Sequence, residues 1–143
     1  MSLFRVRIPI RFGDCDAAGI VYYPRYFEMI SRTVEDWFDG PLDWSFRRLH
    51  LDDHTSIPTA RFEVDFVAES KLADVVEFSL MVERIGVSSS RLRIQAHCHG
   101  ELRLDVRQTL VFVDMNTMKS RPWPDELRSR MEPFMLQGAE AGL

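Results

Sequence analysis

The chain has 143 residues, of which 45% are hydrophobic, and a formal net charge of −4 at pH 7. These values predict one domain spanning residues 1–143 with a substantial core, and the scattered basic residues predict no nucleic-acid surface. The chain has only two cysteines, too few for a disulfide framework. No stretch is apolar enough to span a membrane, and the amino terminus lacks a signal-peptide pattern. We therefore expect a cytoplasmic protein without membrane contact.

The amino-terminal segment alternates apolar and basic residues. Residues 3–12 place Val6, Ile8 and Ile10 on one face and arginines on the other, which is typical of a half-buried strand. Pro9 lies within this run and favours an edge strand or a bulge, because proline cannot donate a ladder hydrogen bond.

Residues 13–27, GDCDAAGIVYYPRYF, join this strand to a helix. Asp14 and Asp16 lie in the loop, and Pro24 suits the first helical position because the N–H that it lacks is unpaired there anyway. The free N–H groups of the helix start and its dipole favour developing negative charge. A carboxylate beside such a site is the minimum needed to cleave an activated acyl group, although a turn and a helix cap explain the same residues.

The remaining chain predicts two helices, four strands and a connection with a short helix around residues 45–51. The strands and long helices are expected at residues 24–38, 61–68, 75–85, 91–98, 106–113 and 124–136. Gly86 and Gly100 mark tight turns, which favours antiparallel neighbours. Together these elements predict an α+β fold whose long helix packs against one face of an antiparallel sheet.

The loop string resembles the signature of the 4-hydroxybenzoyl-CoA thioesterase family, whose members read roughly G/E-D-x-D-x-x-G-x-V-x-Y-x-x-Y. Both acids match, as do Gly19, Val21, Tyr23 and Tyr26. The order of the later elements is also similar, so the resemblance covers residues 4–134. It implies a hotdog fold, in which an antiparallel sheet wraps around a long central helix, and it implies an acyl-CoA thioesterase.

The resemblance also implies roles for the motif residues. Asp16 matches the acid that acts on the thioester carbonyl carbon, as nucleophile or as general base, and a thioester is activated enough for a carboxylate. The backbone N–H of Tyr23 matches the donor that polarises the thioester oxygen. Asp14 is expected to bond loop N–H groups, and Gly19 to permit either a special backbone shape or a close approach.

Contacts to coenzyme A are predicted from weaker signals. Its phosphates and pantetheine arm need basic and hydroxyl side chains. The turn between the predicted strands at 75–85 and 91–98 offers both, and it matches the basic, hydroxyl-rich turn of the family in position. An ordinary hairpin turn explains it equally well. The candidate residues are Ser88, Ser89, Ser90 and Arg91.

The acyl group is expected to be aryl or short. Tyr22 and Phe27 would line an apolar pocket for it, although the same side chains would also suit the core. Family members specific for 4-hydroxybenzoyl groups carry an acid at the helix position of Ser31. Serine can hydrogen-bond there but has no charge, which argues against a 4-hydroxybenzoyl substrate.

Other functions were weighed against this one. A non-hydrolytic acyl-CoA or acyl-carrier-protein binding protein would use the same fold, but Asp16 beside Tyr23-Pro24 favours an enzyme. A dehydratase would need a histidine near the helix start, and the first histidine is His50. Cys15 has no neighbouring histidine, and its flanking carboxylates should raise its pKa, which argues against a cysteine nucleophile.

No metal and no other cofactor is predicted. Alternation along a strand would put His97 and His99 on one face and Cys98 on the other, so the three could not share an ion. The expected partners are an acyl-CoA substrate and copies of the same chain. Because hotdog protomers leave sheet edges unpaired, the resemblance implies a homodimer or homotetramer with Asp16 facing the partner chain.

Overall fold

The computed structural model describes residues 2–136. In chain order the strands and α-helices are β1 (Phe4–Pro9), α1 (Pro24–Asp39), β2 (Thr55–Ser56), β3 (Thr59–Phe66), β4 (Val75–Ile85), β5 (Ser89–Cys98), β6 (Glu101–Val111), β7 (Val113–Asp114), β8 (Lys119–Ser120) and α2 (Asp125–Met131). Short helical turns occupy Phe12–Asp14, Arg48–Asp52 and Glu132–Phe134. Within the described residues, no helix is long and apolar enough to cross a membrane.

Five strands form one antiparallel sheet in the order β1-β4-β5-β6-β3. The hairpins β4-β5 and β5-β6 confirm the neighbours predicted from the glycine turns. β3 does not lie beside β4, because residues 67–74 cross from one edge of the sheet to the β1 side. Among the described strands β1 pairs only with β4, so Pro9 lies in an edge strand, which was one of the two predicted possibilities. A small sheet, β2-β7-β8, flanks the main one.

The long helix α1 packs its apolar face against the sheet. It buries residues at helical spacing, as the sequence predicts: Tyr26, Met29, Ile30, Thr33, Val34, Trp37 and Phe38. The matching face of the sheet buries alternate strand residues, among them Phe78, Leu80, Ile94 and Val106. Burial of this paired apolar surface is the main stabilising contribution, and it fixes the direction of α1 relative to the strands.

Two predicted boundaries differ from the structure by five residues, and the others differ by three residues or fewer. The helix expected at residues 124–136 ends at Met131 and continues as the turn Glu132–Phe134, because Pro133 cannot continue an α-helix. β6 begins at Glu101, five residues earlier than predicted, because Arg103 pairs with Asp74 at 3.0 Å and is accommodated within a strand.

Candidate active site

The loop before α1 folds back on itself as a tight hairpin. The Asp16 N–H donates to the Ile20 carbonyl at 2.9 Å, and the Tyr22 N–H donates to the Asp14 carbonyl at 2.8 Å. Gly19 adopts φ +78°, and a Cβ there would meet nothing within 4 Å. Of the two explanations for this glycine, the structure therefore supports the special backbone shape and not the close approach.

Asp16 is an exposed carboxylate fixed through one oxygen. The Ala18 N–H donates to its Oδ1 at 2.8 Å, which is a local Asx-type bond. Among residues 2–136 no group bonds its Oδ2. The side chain is therefore oriented by the loop while one oxygen remains available for a reacting group.

Asp14 has a structural contact instead. Its Oδ2 accepts from the Arg11 N–H at 2.9 Å, which closes the turn at Phe12–Asp14. This confirms the expectation that Asp14 bonds the loop backbone. Each acid of the motif thus accepts one main-chain N–H through one oxygen, but Asp14 closes the turn and is partly buried, whereas Asp16 lies in the loop and is exposed.

The start of α1 presents an unpaired donor. Pro24 has no N–H, and the Tyr23 N–H has no acceptor within residues 2–136. The Tyr23 carbonyl already accepts from the Tyr26 N–H at 3.1 Å, so Tyr23 is the cap of the helix. The dipole of α1 adds positive potential at this position. A free backbone N–H at a helix start is suited to stabilise an oxyanion.

Aromatic side chains surround this donor. A cavity of about 280 Å³ beside Tyr23 is bounded by Tyr26 and Phe66, and the buried hydroxyl of Tyr26 has no partner among the described residues. The rings of Tyr22 and Tyr23 are 5.7 Å apart, and those of Phe27 and Phe66 are 6.5 Å apart. Phe27 thus contributes to an aromatic surface between α1 and β3, whereas Tyr22 is exposed at its edge.

Ser31 lines a second cavity, of about 170 Å³, farther along α1. The polar side chains around this cavity are Ser31, His50, Ser56, Thr59 and Gln108. Gln108 was missed in the sequence, although a signal exists, because it occupies a core-facing position of β6 between Val106 and Leu110. His50 has no comparable signal, since it lies in the irregular connection before β2.

The predicted CoA-binding turn lies far from Asp16 within one protomer. The Asp16 loop contacts the chain just before β4, where the Leu72 N–H donates to the Gly19 carbonyl at 3.1 Å. The turn follows the other end of β4, eleven residues away, which is roughly 30 Å at strand spacing. The structure therefore does not bring Ser88–Arg91 and Asp16 together in one chain.

Within this turn the side chains differ in availability. Ser90 is fully buried, and its hydroxyl donates to the Arg84 carbonyl at 3.2 Å. Arg91 is half exposed and pairs with Glu83 at 3.4 Å. Ser88 and Ser89 lie at the entrance of β5 and are partly exposed. Their role in binding CoA stays a prediction.

The cysteines do not supply a second chemistry. Partial burial, and then the charges of Asp14 and Asp16, raise the pKa of the Cys15 thiol, so its thiolate is disfavoured. This is the direction expected from the flanking acids. The exclusion of Cys15 as nucleophile stays a prediction that the raised pKa supports.

The strand-alternation argument about histidines is wrong for His99. β5 ends at Cys98, and His99 has φ +51°, so its side chain leaves the strand pattern. Ligand atoms of Asp74, Cys98 and His99 lie within 4.8 Å of one another. The Asp74 carboxylate, however, accepts from Arg103 at 3.0 Å, and that cation would repel a metal ion bound beside it.

An antiparallel sheet around one long helix, with a loop carboxylate beside the amino end of that helix, defines a hotdog-fold protein of the thioesterase class. A family model described as Thioesterase-like superfamily matches residues 10–131. The chain belongs to that superfamily.

Individual relatives agree with this assignment. A 1,4-dihydroxy-2-naphthoyl-CoA hydrolase from Acaryochloris marina is 26% identical over 131 residues, which cover 89% of this chain and 94% of that protein. The solved 1,4-dihydroxy-2-naphthoyl-CoA thioesterase from Synechocystis is similar with a TM-score of 0.83 at 17% identity, covering 91% of this chain and 96% of that one. A Staphylococcus aureus protein solved in complex with CoA has a TM-score of 0.86 at 14% identity, covering 98% and 91%.

The predicted hotdog fold is thereby confirmed, and the predicted thioester hydrolase is confirmed at the level of the superfamily. The 4-hydroxybenzoyl-CoA branch is not singled out, since the relatives described above carry other names.

Proposed function

We propose that this protein hydrolyses an aryl-CoA thioester to the free aryl acid and CoA. Two observations carry the proposal: within residues 2–136 the Asp16 carboxylate keeps one unbonded oxygen, and the hairpin that holds Asp16 leads directly into the start of α1, where the Tyr23 N–H has no acceptor in the same range. The Acaryochloris and Synechocystis relatives, whose names specify an aryl-CoA substrate, support an aryl acyl group. The Staphylococcus relative supports CoA as the carrier.

The chemistry follows from these two groups. The Asp16 carboxylate attacks the carbonyl carbon itself or removes a proton from an attacking water. The carbonyl oxygen becomes an oxyanion that accepts a hydrogen bond from the Tyr23 N–H. The C–S bond then breaks, and the CoA thiolate leaves and takes up a proton. In the nucleophilic route, water finally cleaves the mixed anhydride and regenerates Asp16.

The assembly is part of the proposal, because one protomer holds its candidate groups at opposite ends of the sheet. Within residues 2–136, β3 pairs only with β6 and its other edge is open. Its Phe62 and Phe66 are 38% and 50% exposed. Antiparallel pairing of β3 with β3 of a second copy would cover these rings. It would also set the Phe66 end of one strand against the Thr59 end of the other.

That pairing would join the separated parts of the site. Phe66 lies beside Tyr23, with ring centroids 6.1 Å apart. At the other end, Thr59 and Ser90 are both register partners of Leu110, so the Ser88–Arg91 turn lies near the Thr59 end of β3. In the dimer, Asp16 of one protomer would thus face the partner's CoA-binding turn.

Incubation with a set of acyl-CoA thioesters, with a thiol-reactive dye to detect released CoA, tests the activity. We expect turnover of aryl-CoA substrates above aliphatic ones. Binding of aryl-CoA without CoA release, by the wild-type protein under the same conditions, would instead identify a non-hydrolytic binding protein. Sedimentation that finds a compact monomer at micromolar concentration would contradict the dimer.

A further inference from the structure

The crossing segment, residues 67–74, supports the hairpin that holds Asp16. It joins β3 to β4 and belongs to no named helix or strand. The Val21 N–H donates to the Ser70 carbonyl at 2.9 Å, and the Leu72 N–H donates to the Gly19 carbonyl at 3.1 Å. These two bonds attach the second half of the hairpin to the crossing segment.

The attached part of the hairpin separates the two candidate catalytic groups. Ile20 lies between Gly19 and Val21, and its carbonyl accepts from the Asp16 N–H at 2.9 Å. Tyr23 follows Val21 by two residues. A shift of the crossing segment would therefore change the spacing between the Asp16 carboxylate and the Tyr23 N–H. Misplacement of a reacting group by about 1 Å can lower a rate roughly 10²-fold.

One buried residue of β6, Arg103, fastens the crossing segment. It is 9% exposed. Its Nη1 lies within hydrogen-bonding distance of three acceptors, which are the Glu69 carbonyl at 2.9 Å, the Ser70 hydroxyl at 3.1 Å and Oδ2 of Asp74 at 3.0 Å. Its carbonyl accepts from the Val67 N–H at 2.9 Å. Arg103 thus holds the crossing segment at its beginning, its middle and its end.

The contact between Arg103 and Asp74 is an ion pair. The Lys71 N–H donates to the same Asp74 oxygen at 2.9 Å and closes a turn within the crossing segment. This N–H bond, and then the Arg103 guanidinium, hold the pKa of the Asp74 carboxyl below its usual value, against the opposing effect of burial. The carboxylate is therefore charged at neutral pH, and the ion pair is intact under the conditions of an assay.

We propose that Arg103 is a positioning residue, which fixes Asp16 relative to the Tyr23 N–H by fastening the crossing segment. The proposal rests on the proposed function and adds one residue to it. Within residues 2–136, the side-chain hydrogen bonds of Arg103 go to the crossing segment and not to the hairpin. Arg103 therefore acts through the main chain of Ser70 and Leu72, and its loss should lower kcat rather than raise KM.

Arg103→Met and Arg93→Met form a matched pair for testing this role. Arg93, on β5, is 7% exposed, and its Nε and Nη2 donate to Asp105 at 3.2 and 2.9 Å. Each variant keeps the apolar stem and leaves a carboxylate without its cation. We expect Arg103→Met to lower kcat on an aryl-CoA by at least ~10-fold with KM within ~2-fold, because the two groups lose their alignment. Arg93→Met should lower the melting temperature comparably and keep kcat within ~2-fold.

Arg103→Lys tests whether the hydrogen bonds of Arg103 are responsible. The three acceptors surround a single nitrogen, and an ammonium group has three donors. Lysine should therefore restore kcat to within ~3-fold of wild type. A folded Arg103→Met protein with the wild-type kcat, or an equal loss of kcat in Arg93→Met, would overturn the positioning role.

Amide hydrogen exchange tests the role without relying on hydrolysis. We expect the Val21 and Leu72 N–H groups to exchange at least ~10-fold faster in Arg103→Met than in Arg93→Met, relative to amides of the central strand β5 as the reference for global stability. If the wild-type protein releases no CoA, the hydrolase is refuted, but faster exchange still supports the hold of Arg103 on the hairpin. Unchanged exchange in a folded Arg103→Met protein would overturn that hold whether or not the protein is a hydrolase.

Ser70→Ala keeps the proposal testable if Arg103→Met does not fold. It removes one of the three acceptors and leaves the Arg103–Asp74 ion pair in place. We expect kcat to fall about 3-fold and the Val21 N–H to exchange faster, because one of the bonds that fasten the crossing segment is lost. A folded Ser70→Ala protein with wild-type kcat and wild-type Val21 exchange would then overturn the proposal.

Discussion

At the end of the sheet where β4 begins, the candidate catalytic groups are held by main-chain hydrogen bonds. At the other end, the cavity beside Ser31 is lined by side chains from four stretches of the chain, residues 31–34, 46–50, 56–59 and 108–110. The first arrangement depends on backbone shape, as the φ of +78° at Gly19 illustrates. The second depends on which side chains four separate segments supply. Substrate range can therefore change at the cavity end while the chemistry at the loop end stays the same.

The largest effect is expected at the loop end, from Asp16→Asn. Asparagine caps and bonds the loop as well as aspartate does, so the fold should survive, but the charge needed for attack or proton removal is lost. We expect kcat to fall by at least ~10²-fold on both hydroxylated and unhydroxylated aryl-CoA. The measurement is kcat on the best substrate, with melting temperature as the control for folding.

Asp14→Asn is the matched variant, because its carboxylate bonds the Arg11 N–H and organises the turn. It should lower kcat less than Asp16→Asn and lower the melting temperature at least as much. A folded Asp16→Asn protein that turns over near the wild-type rate would disprove the catalytic assignment, and a helix carboxylate such as Glu35 would become the candidate.

The next largest effect is expected at the proposed β3–β3 contact between protomers, which would bring the Asp16 loop of one protomer to the opposite end of the partner's sheet. Phe62→Lys places a charge on the open edge of β3, where the native ring is 38% exposed and contacts Phe27 with centroids 5.5 Å apart. We expect sedimentation to shift from dimer to monomer and CoA release to fall ~10-fold or more, because exposed charges oppose edge-to-edge pairing.

Met118→Lys is the control for this prediction. Met118 is 69% exposed and lies in the turn between β7 and β8. Its substitution by lysine therefore makes the same apolar-to-charged change at a site away from β3. It should leave both the sedimentation and the rate unchanged. A Phe62→Lys protein that stays dimeric and active would place the interface on another surface.

A smaller effect is expected at the predicted CoA-binding turn, Ser88–Arg91. Arg91→Ala removes a half-exposed guanidinium that pairs with Glu83 at 3.4 Å. If it contacts the phosphates of CoA, KM for an aryl-CoA should rise several-fold while kcat stays nearly constant, because the contact is equal in ground state and transition state. An unchanged KM would move the nucleotide site elsewhere, and equal turnover of an acyl-pantetheine would indicate a different carrier.

The loop end and the cavity end of the sheet also differ in how much of each the sequence predicts. Residues 13–27 are contiguous, so their pattern predicts the loop and the helix start directly, and the family resemblance that they carry implies the proposed role of Asp16. The cavity at Gln108 is formed by segments far apart in the chain, and only the position of a polar residue on the buried face of β6 signals it. The strand order was only partly predictable, because β3 and β4 are consecutive in sequence but lie apart in the sheet.

The smallest effect is expected from Tyr23→Phe. The candidate oxyanion donor is the backbone N–H of this residue, which the substitution keeps, and the phenol ring is 60% exposed. Loss of the hydroxyl leaves the packing of the ring near Phe66 intact, with centroids 6.1 Å apart in the native protein. We expect kcat and KM for an aryl-CoA to stay within about twofold of wild type, since only groups that strengthen in the transition state affect kcat. A fall comparable to that of Asp16→Asn would mean that the hydroxyl takes part in the reaction, and it would contradict the view that the main chain alone supplies the second group at the loop end.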